Sequence, residues 1–294
     1  MSSRFFRAAL ASLLVVAARA ESQQPGAEGW AAVTAAMGRA GAAQDGGVMK
    51  YGFPRSDLDV RIDGVKLRPA LALGSWAAFR HIDRGRVMVM GDLVLTEAEV
   101  QPVITILEQN DVRQSAVHNH LLGESPRIVY VHIFAEGDPA RIAAAIRSAL
   151  AATNTPAAAP AASVAPAFEL DTALLHRTLG YAGKVNGGVY QISVPRAEKI
   201  RMNGMTVPPA MGVATAINFQ PTGGTRAAIT GDFVMRANEV GRIIPVLRAD
   251  GISITALHSH MIGEEPRLYF MHFWANDDAA RLAAALRRAL NQMK

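Results

Sequence analysis

The fold is decided by residues 86–150, which read RVMVMGDLVLTEAEVQPVITILEQNDVRQSAVHNHLLGESPRIVYVHIFAEGDPARIAAAIRSAL. The stretch opens with a β-strand at 86–94, rich in valine and methionine. Thr96 and Glu99 then form a T-x-x-E capping box, a pattern that marks the start of a helix. The apolar residues that follow recur every 3.6 residues, as expected of a helix with one buried face.

The second part of the stretch predicts a β-hairpin followed by a helix. One strand runs to Leu121, a turn occupies 123–126, and the next strand covers 127–135. Asp138-Pro139 then places a capping side chain and a first-turn proline at the start of an amphipathic helix. The order β-α-β-β-α predicts an α+β fold that resembles part of a ferredoxin-like plait.

Upstream elements extend this unit. A short helix is predicted at 30–44, and strands are predicted at 48–53, 58–62 and 70–80, each with a counterpart later in the chain. These strands should lengthen or cover the sheet.

The unit occurs twice. Val89-Met90-Gly91-Asp92-Leu93-Val94 reappears as Ile229-Thr230-Gly231-Asp232-Phe233-Val234, 140 residues further on. We therefore predict two homologous domains, 30–150 and 168–294. The segment between them, 151–167, consists mostly of alanine, proline, serine and threonine without a charge, which is typical of an extended linker.

Residues 1–20 predict export. Two arginines, a short apolar run and the small residues Ala18-Arg19-Ala20 match a secretory signal peptide. Cleavage would remove three arginines and no acidic residue, so the formal net charge of the chain would fall from +5 to +2. That weak balance gives no reason to expect nucleic-acid binding. We expect a periplasmic or secreted protein with no membrane span after cleavage and an oligomeric state that the sequence leaves open.

The most informative residues are the histidines. The frame H-x-H-x3-E-x-P-R-x4-H occurs in both units and contains six of the eight histidines. The chain has no cysteine, so thiolate ligands, disulfides and a cysteine nucleophile are all excluded. The six residues are His118, His120, His132, His258, His260 and His272.

The hairpin geometry brings these histidines together. His118 and His120 are two residues apart on a strand, so their side chains leave the same face. The short turn places His132 opposite Ala116 or His118, with a separation of roughly 5 Å between Cβ atoms. Three converging imidazoles suit a transition metal, with zinc as the first choice and copper, iron or manganese as alternatives. The same cluster without a metal would be a site for proton transfer, and a purely structural role is the third interpretation.

Repeated polar residues surround each cluster. Glu124 and Glu264, in the turns, are the candidates for a fourth ligand or for a catalytic base acting on a metal-bound water. Arg127 and Arg267 could clamp the carboxylate or phosphate of a ligand, or form a salt bridge to the neighbouring glutamate that fixes the turn.

Asp92 and Asp232 are either partners that orient a ligating histidine or residues that end the strand. The sequence does not decide between these two roles.

The arrangement G-D-x-V-x4-E-V ahead of H-N-H-L-L-G-E-S-P-R and Y-V-H, in two copies, resembles the LppY/LpqO group of exported bacterial proteins. The resemblance implies export and a duplicated domain of unknown function. It brings no reaction or catalytic residues. This chain departs from the lipoprotein members because it lacks a cysteine to acylate.

Two classes of function follow from the sequence. The first is a metal-dependent hydrolase of the cell envelope, with Glu124 or Glu264 as general base. The second is a non-catalytic protein that carries a metal or captures a small anionic ligand through its arginines and histidines. Whether the two histidine clusters form one site or two is left open at this stage.

Overall fold

A computed structural model describes residues 27–157 and 168–293. The predicted signal peptide, residues 1–20, and residues 158–167 of the predicted linker lie outside the described residues. Within the described ranges, no helix is both long and apolar enough to cross a membrane.

The first half contains four helices and eight strands. In chain order they are α1 (Ala31–Met37), β1 (Ala42–Gln44), β2 (Val48–Pro54), β3 (Arg61–Ile62), β4 (Val65–Lys66), α2 (Pro69–Ala72), β5 (Gly74–His81), β6 (Val87–Thr96), α3 (Glu97–Glu108), β7 (Arg113–His118), β8 (Ile128–Gly137) and α4 (Pro139–Ala151).

The second half repeats this order with two differences: a short 3₁₀ helix, Pro209–Met211, replaces α2, and an additional two-residue strand, Glu264–Glu265, precedes the last strand. Its elements are α5 (Thr172–Leu179), β9 (Gly183–Asn186), β10 (Val189–Pro195), β11 (Arg201–Met202), β12 (Met205–Thr206), β13 (Ala214–Gly223), β14 (Arg226–Met235), α6 (Ala237–Ala249), β15 (Ser253–His258), β16 (Glu264–Glu265), β17 (Tyr269–Asp278) and α7 (Ala279–Leu290).

Each half is built on a six-stranded antiparallel sheet. The strand orders are β1-β2-β5-β6-β8-β7 and β9-β10-β13-β14-β17-β15, which are equivalent position by position. In the first sheet β8 lies between β6 and β7, the two strands that flank helix α3 in the chain. In the second sheet β17 lies between β14 and β15 in the same way. The predicted α+β duplication is therefore confirmed, and the ferredoxin-like plait stays a prediction.

Helices cover the outer face of each sheet. Alternate residues of β6, such as Val89 and Leu93, pack against α1, α3 and α4 in one buried core. An equivalent core joins the second sheet to α5, α6 and α7. The residues between them on β6, such as Met88 and Asp92, point to the opposite face, which is turned toward the other half.

Two arms, residues 58–73 and 200–213, lie between the halves. Leu67 and Leu71 of the first arm are buried in a cluster with Trp274 of the second half. Met211 of the second arm is buried against Met90 of the first half in the same way. Each arm therefore covers the inner face of the other half's sheet, and the two halves form one structure.

The arms explain where the predicted strands were inaccurate. The strand expected at 58–62 is only two residues long, and it turns back through Asp63-Gly64, both with positive φ, into β4. Paired positive φ angles are those of a tight hairpin turn. The strand expected at 70–80 begins only at Gly74, because Pro69 starts the short helix α2.

A buried arginine anchors each half. Arg55 donates to Glu99 at 2.8 Å and to Asp57 at 2.8 Å, and its side chain is completely buried. Arg196 makes the equivalent bonds to Glu239 and Glu198. Glu99 also accepts the Thr96 backbone N–H at 2.8 Å, so the predicted capping glutamate doubles as the partner of this arginine.

Candidate metal centre between the two halves

The six repeated histidines meet in one cluster. The rings of His118 and His258, one from each half, have centroids 3.7 Å apart. His120 lies 3.7 Å from His272, and His132 lies 3.7 Å from His260. The question left open by the sequence is resolved: the two frames contribute to a single site.

The cluster has the symmetry of the duplication. A pseudo-twofold axis that exchanges the halves maps the pair His120–His272 onto His260–His132, and these two separations are equal. Hydrogen bonds obey the same exchange. The Ser115 hydroxyl donates to the carbonyl of His260, and the Thr255 hydroxyl donates to the carbonyl of His120, both at 2.5 Å. Each half thus helps to position the histidines of the other.

The hairpin register places the histidines on the inner face. Ala116 pairs with His132 across β7 and β8, one of the two pairings that the turn length predicts. Ala256 pairs with His272 in the second half. His132 and His272 therefore stand beside the first histidine of their own hairpin, with ring centroids at 5.1 Å and 4.9 Å from His118 and His258.

The Gly-Asp pair repeated in both halves serves this site. The Gly231 carbonyl lies 2.8 Å from Nδ1 of His272, and Gly91 makes the equivalent backbone hydrogen bond to His132. A carbonyl only accepts, so in His272 Nδ1 must carry the proton and Nε2 keeps its lone pair for a metal. Glycine is needed here because a Cβ at Gly91 would lie 2.5 Å from the Trp76 carbonyl oxygen.

The two aspartates face the free nitrogens. Asp92 lies directly opposite His132 in the sheet, and its carboxylate oxygens are 3.8 Å from Nε2 of His132 and 3.6 Å from Nε2 of His120. Asp232 approaches Nε2 of His260 at 3.3 Å. Sequence analysis left their role undecided, and the structure places them in direct contact with the histidines.

Burial sets the protonation of the cluster. Loss of solvent lowers the pKa of His118 to about 3, with the charge of His258 adding to the effect, and lowers that of His258 to about 4. It lowers the pKa of the other four histidines well below the usual value. All six are therefore neutral at pH 7, the form in which imidazole binds a metal.

Burial shifts the aspartates in the opposite direction. It raises the pKa of Asp92 to about 7, against a lowering effect of Lys50. It raises the pKa of Asp232 well above the ordinary value, and the neighbouring charge of Asp92 raises it further. Both carboxyl groups resist ionisation because they are buried among neutral histidines. A metal ion bound between them would favour the ionised form.

Buried polar atoms in the cluster lack partners. Among the described residues, Nε2 of all six histidines and one oxygen of each aspartate are buried without a hydrogen bond. Unpaired buried polar atoms are costly, and native proteins rarely keep them without a reason such as an ion. Four groups have ligand atoms within 4.8 Å of one another: His118-His132-His258-His260, His118-His120-His272, Asp92-His120-His132 and Asp232-His260-His272.

Comparison with known sequences identifies the family. The sequence model described as Domain of Unknown Function (DUF1259) matches residues 31–152 and 173–292. The chain belongs to this family. Each half is one copy of the DUF1259 domain, and both copies contain the complete histidine frame. No curated protein matches the chain.

Solved structures add little to the DUF1259 assignment. The chain is similar to the trimeric bacterial microcompartment shell protein PduB, with 14% identity over 85% of this chain and 88% of that chain. EtuB from Clostridium kluyveri has 10% identity over 85% and 88% of the two chains. EutL from Leptotrichia buccalis C-1013-b has 9% identity over 86% and 95%. The TM-score is 0.20 in each case, so these similarities carry no argument about fold or function.

Glu124 and Glu264 are outside the four ligand groups of the DUF1259 pair. Glu264 is buried, accepts the Leu268 N–H at 2.9 Å, and leaves its other oxygen without a partner among the described residues. Burial raises the pKa of Glu124, which lies close enough to Tyr130 to act on it electrostatically. Tyr130 in turn stacks on His120, with ring centroids 3.3 Å apart.

Arg127 and Arg267 lie at the surface. Arg267 is 52% exposed and approaches Glu264 at 3.6 Å and the Ser259 hydroxyl at 3.2 Å. Arg127 is 72% exposed and forms an ion pair with Glu97 at 4.0 Å, and its charge also acts on Glu124. The turn-fixing contact anticipated from the sequence is present in the second DUF1259 domain, and in the first domain the arginine pairs elsewhere.

Access to the DUF1259 cluster is narrow. His120 is only slightly exposed, and His132, His260 and His272 are buried. His118 is partly exposed, as is His258. A cavity of about 10 Å³ adjoins His132 and His260, which is enough for about one water molecule.

Proposed function

We propose that the protein is a metalloprotein whose metal ligands, supplied by both DUF1259 domains, meet in one cluster. The observation that carries this proposal is the convergence of six neutral histidines whose Nε2 atoms have no partner among the described residues. A structural role would leave those atoms unsatisfied, at a cost of roughly 1–3 kcal/mol for each buried group. A bound ion satisfies several of them at once.

The donor set limits the metal. Only imidazole nitrogen and carboxylate oxygen are offered, in two symmetric groups of two histidines and one aspartate, with His118 and His258 between them. Zinc is the first choice, since it takes histidine and carboxylate ligands readily. Two histidines and one carboxylate with open positions also suit iron, and manganese accepts the same donors.

We propose that the centre hydrolyses a small substrate. A metal ion lowers the pKa of a bound water and so provides a nucleophile near neutral pH. The water-sized cavity beside His132 and His260 supplies a place for that molecule. Glu124 and Glu264 remain the proposed bases, and the aspartates, which are closer to the histidines, are the competing candidates for that role.

A groove between the halves suits the substrate. It has a volume of about 480 Å³ and is lined by both polar and apolar side chains, among them Arg248, Ser253 and Leu122, which is within the range of small-molecule sites. Thr255, in its wall, donates to the carbonyl of His120, and Trp274 lies two residues beyond His272 on the same strand. The groove therefore borders the metal centre.

The second candidate is a carrier of metal or of a small anionic ligand. The observation in its favour is enclosure, because the histidines are mostly buried and the adjoining cavity holds about one water. A storage site needs no room for a substrate beside the ion. Methionine gives copper little support, since Met261 has Leu121 at the equivalent position of the first half.

We further propose that the protein is exported and acts in the periplasm or outside the cell. The support is the signal-peptide pattern of residues 1–20. The resemblance to the LppY/LpqO group points to the same compartment.

The decisive experiment is metal analysis of the purified, reconstituted protein. The wild type should retain metal after dialysis, and the His120→Ala/His260→Ala variant, which removes one ligand from each Asp-His-His group, should lose most of it. His176→Ala is the matched control, because His176 is exposed on α5 and outside the cluster. Equal metal content in all three proteins would end the metal proposal.

Activity separates the two candidates. The metal-loaded wild type is assayed against ester, amide and phosphoester substrates, with the metal-free protein as control. Metal-dependent turnover supports the hydrolase, and turnover lost in Glu124→Gln or Glu264→Gln at unchanged metal content assigns the base. Tight metal binding with no turnover on any substrate supports the carrier.

A further inference from the structure

In the first half a lysine shares a face of the sheet with the aspartate of the metal centre. The Lys50 ammonium, on β2, lies 3.9 Å from the centroid of the Trp76 ring. Trp76 pairs directly with Asp92 on the neighbouring strand, so the three side chains share the inner face of the sheet. At the equivalent positions the second half has Gln191 and Ala216.

The charge of Lys50 acts on Asp92 of the metal centre. Within the part of the chain that the structure describes, Lys50 forms no hydrogen bond or ion pair, and its ring contact is with Trp76. Burial lowers its pKa to about 8, with Lys184 adding to the effect and Asp92 opposing it. Lys50 is therefore mostly charged at pH 7 and acts electrostatically on Asp92.

The second half has a neutral residue at the equivalent position. Gln191 donates from its amide to the Ala70 carbonyl at 2.8 Å, and the lysine paired with it, Lys184, is on the edge strand β9. The two carboxylates thus stand in identical frames with different charges beside them.

We propose that Lys50 makes the two Asp-His-His groups unequal, so that Asp232-His260-His272 binds a divalent ion more tightly than Asp92-His120-His132. This inference rests on the proposed metal centre. Lys50 already compensates part of the negative charge of Asp92, and it repels a second cation that approaches the same carboxylate. The group without a lysine lacks this repulsion. Gene duplication has in this way produced one stronger and one weaker site from a single ancestral frame.

The experiment is calorimetric titration of the full, metal-free chain with zinc at pH 7 and fixed ionic strength. Wild type should show a tight ion and a second ion bound at least about tenfold more weakly, or not at all. Asp232→Asn should abolish the tight ion, while Asp92→Asn should affect only the weak one. Loss of the tight ion in Asp92→Asn instead would overturn the assignment.

Charge exchange tests the cause. Lys50→Gln, which introduces the residue found in the second half, should raise the affinity of the weaker site at least about tenfold. Lys50→Arg keeps the charge and should keep the difference. Adding Gln191→Lys to Lys50→Gln should reverse the order of the two sites. The second half has glutamine at the position equivalent to Lys50, so Lys50→Gln is compatible with the fold.

The outcomes separate this inference from the proposed function. A wild type that binds no zinc contradicts the metal centre itself. A wild type that binds two ions with equal affinity, or a Lys50→Gln variant whose weaker site is unchanged, contradicts only the role of Lys50.

Discussion

The two halves of the chain have the same candidate metal ligands but differ in the residues that surround those ligands. Both retain three histidines, one aspartate and the glycine that orients the last histidine. They differ in Lys50 and Trp76, which correspond to Gln191 and Ala216, and the ring stacked on the second histidine is Tyr130 in one half and Phe270 in the other. The retained residues form the shared cluster, and the altered ones surround it. A duplicated domain thus shows within one chain which residues the site requires.

The largest effect should come from protons on the shared histidines. In the metal-free chain, unfolded histidines take up protons near pH 6.5, while the folded ones stay neutral to about pH 4 or below. Each proton bound only by the unfolded state contributes about 1.4 kcal/mol per pH unit. The free energy of unfolding should therefore fall steeply from pH 6.5 to pH 4.

The aspartates oppose this trend without reversing it. Folded Asp92 keeps its proton to about pH 7, whereas an unfolded aspartate releases it near 3.8, so acid favours the folded state at this residue. Six histidines outnumber two aspartates. Urea unfolding at several pH values measures the slope, and His118→Ala/His258→Ala should make it shallower. An identical slope in the variant would show that the cluster does not titrate on unfolding.

The second prediction concerns the buried arginines, where the halves agree. Arg55→Ala and Arg196→Ala should each lower the free energy of unfolding by about 3–5 kcal/mol, because each leaves a buried glutamate without its cation. A single unfolding transition, shifted in both variants, indicates that the halves unfold together. Two separate unfolding transitions in urea, one shifted in each variant, would instead show that the halves are independent.

Much of each half could be predicted locally. The capping box at Thr96, the hairpin that pairs Ala116 with His132 and the final helix after Asp138 depend on neighbouring residues, and the structure contains all three. The meeting of the two clusters could not be predicted, because it depends on packing between sheets whose residues are 140 positions apart. The position of Asp92 was also difficult to predict. Its partner His120 lies in the turn after β7, which ends at His118 and not at Leu121 as predicted, and only the repeated Gly-Asp pair indicated a role.

The smallest effects should distinguish Arg127 from Arg267. Arg267 contacts Glu264 and Ser259, so Arg267→Ala should cost up to about 1 kcal/mol of stability, while Arg127→Ala should cost less, since its pairing with Glu97 is longer and exposed. Urea unfolding of both variants measures the difference.

The same two variants decide whether the arginines hold a ligand. If they clamp an anion, both should weaken the binding of inorganic phosphate to the metal-loaded protein by a similar factor, since the arginine is repeated in both frames. If they fix the turns, phosphate affinity should be unchanged and only Arg267→Ala should lose measurable stability. The exposed position of both side chains and the contact between Arg267 and the turn residue Glu264 favour the second result, and a matched loss of phosphate affinity in both variants would contradict it.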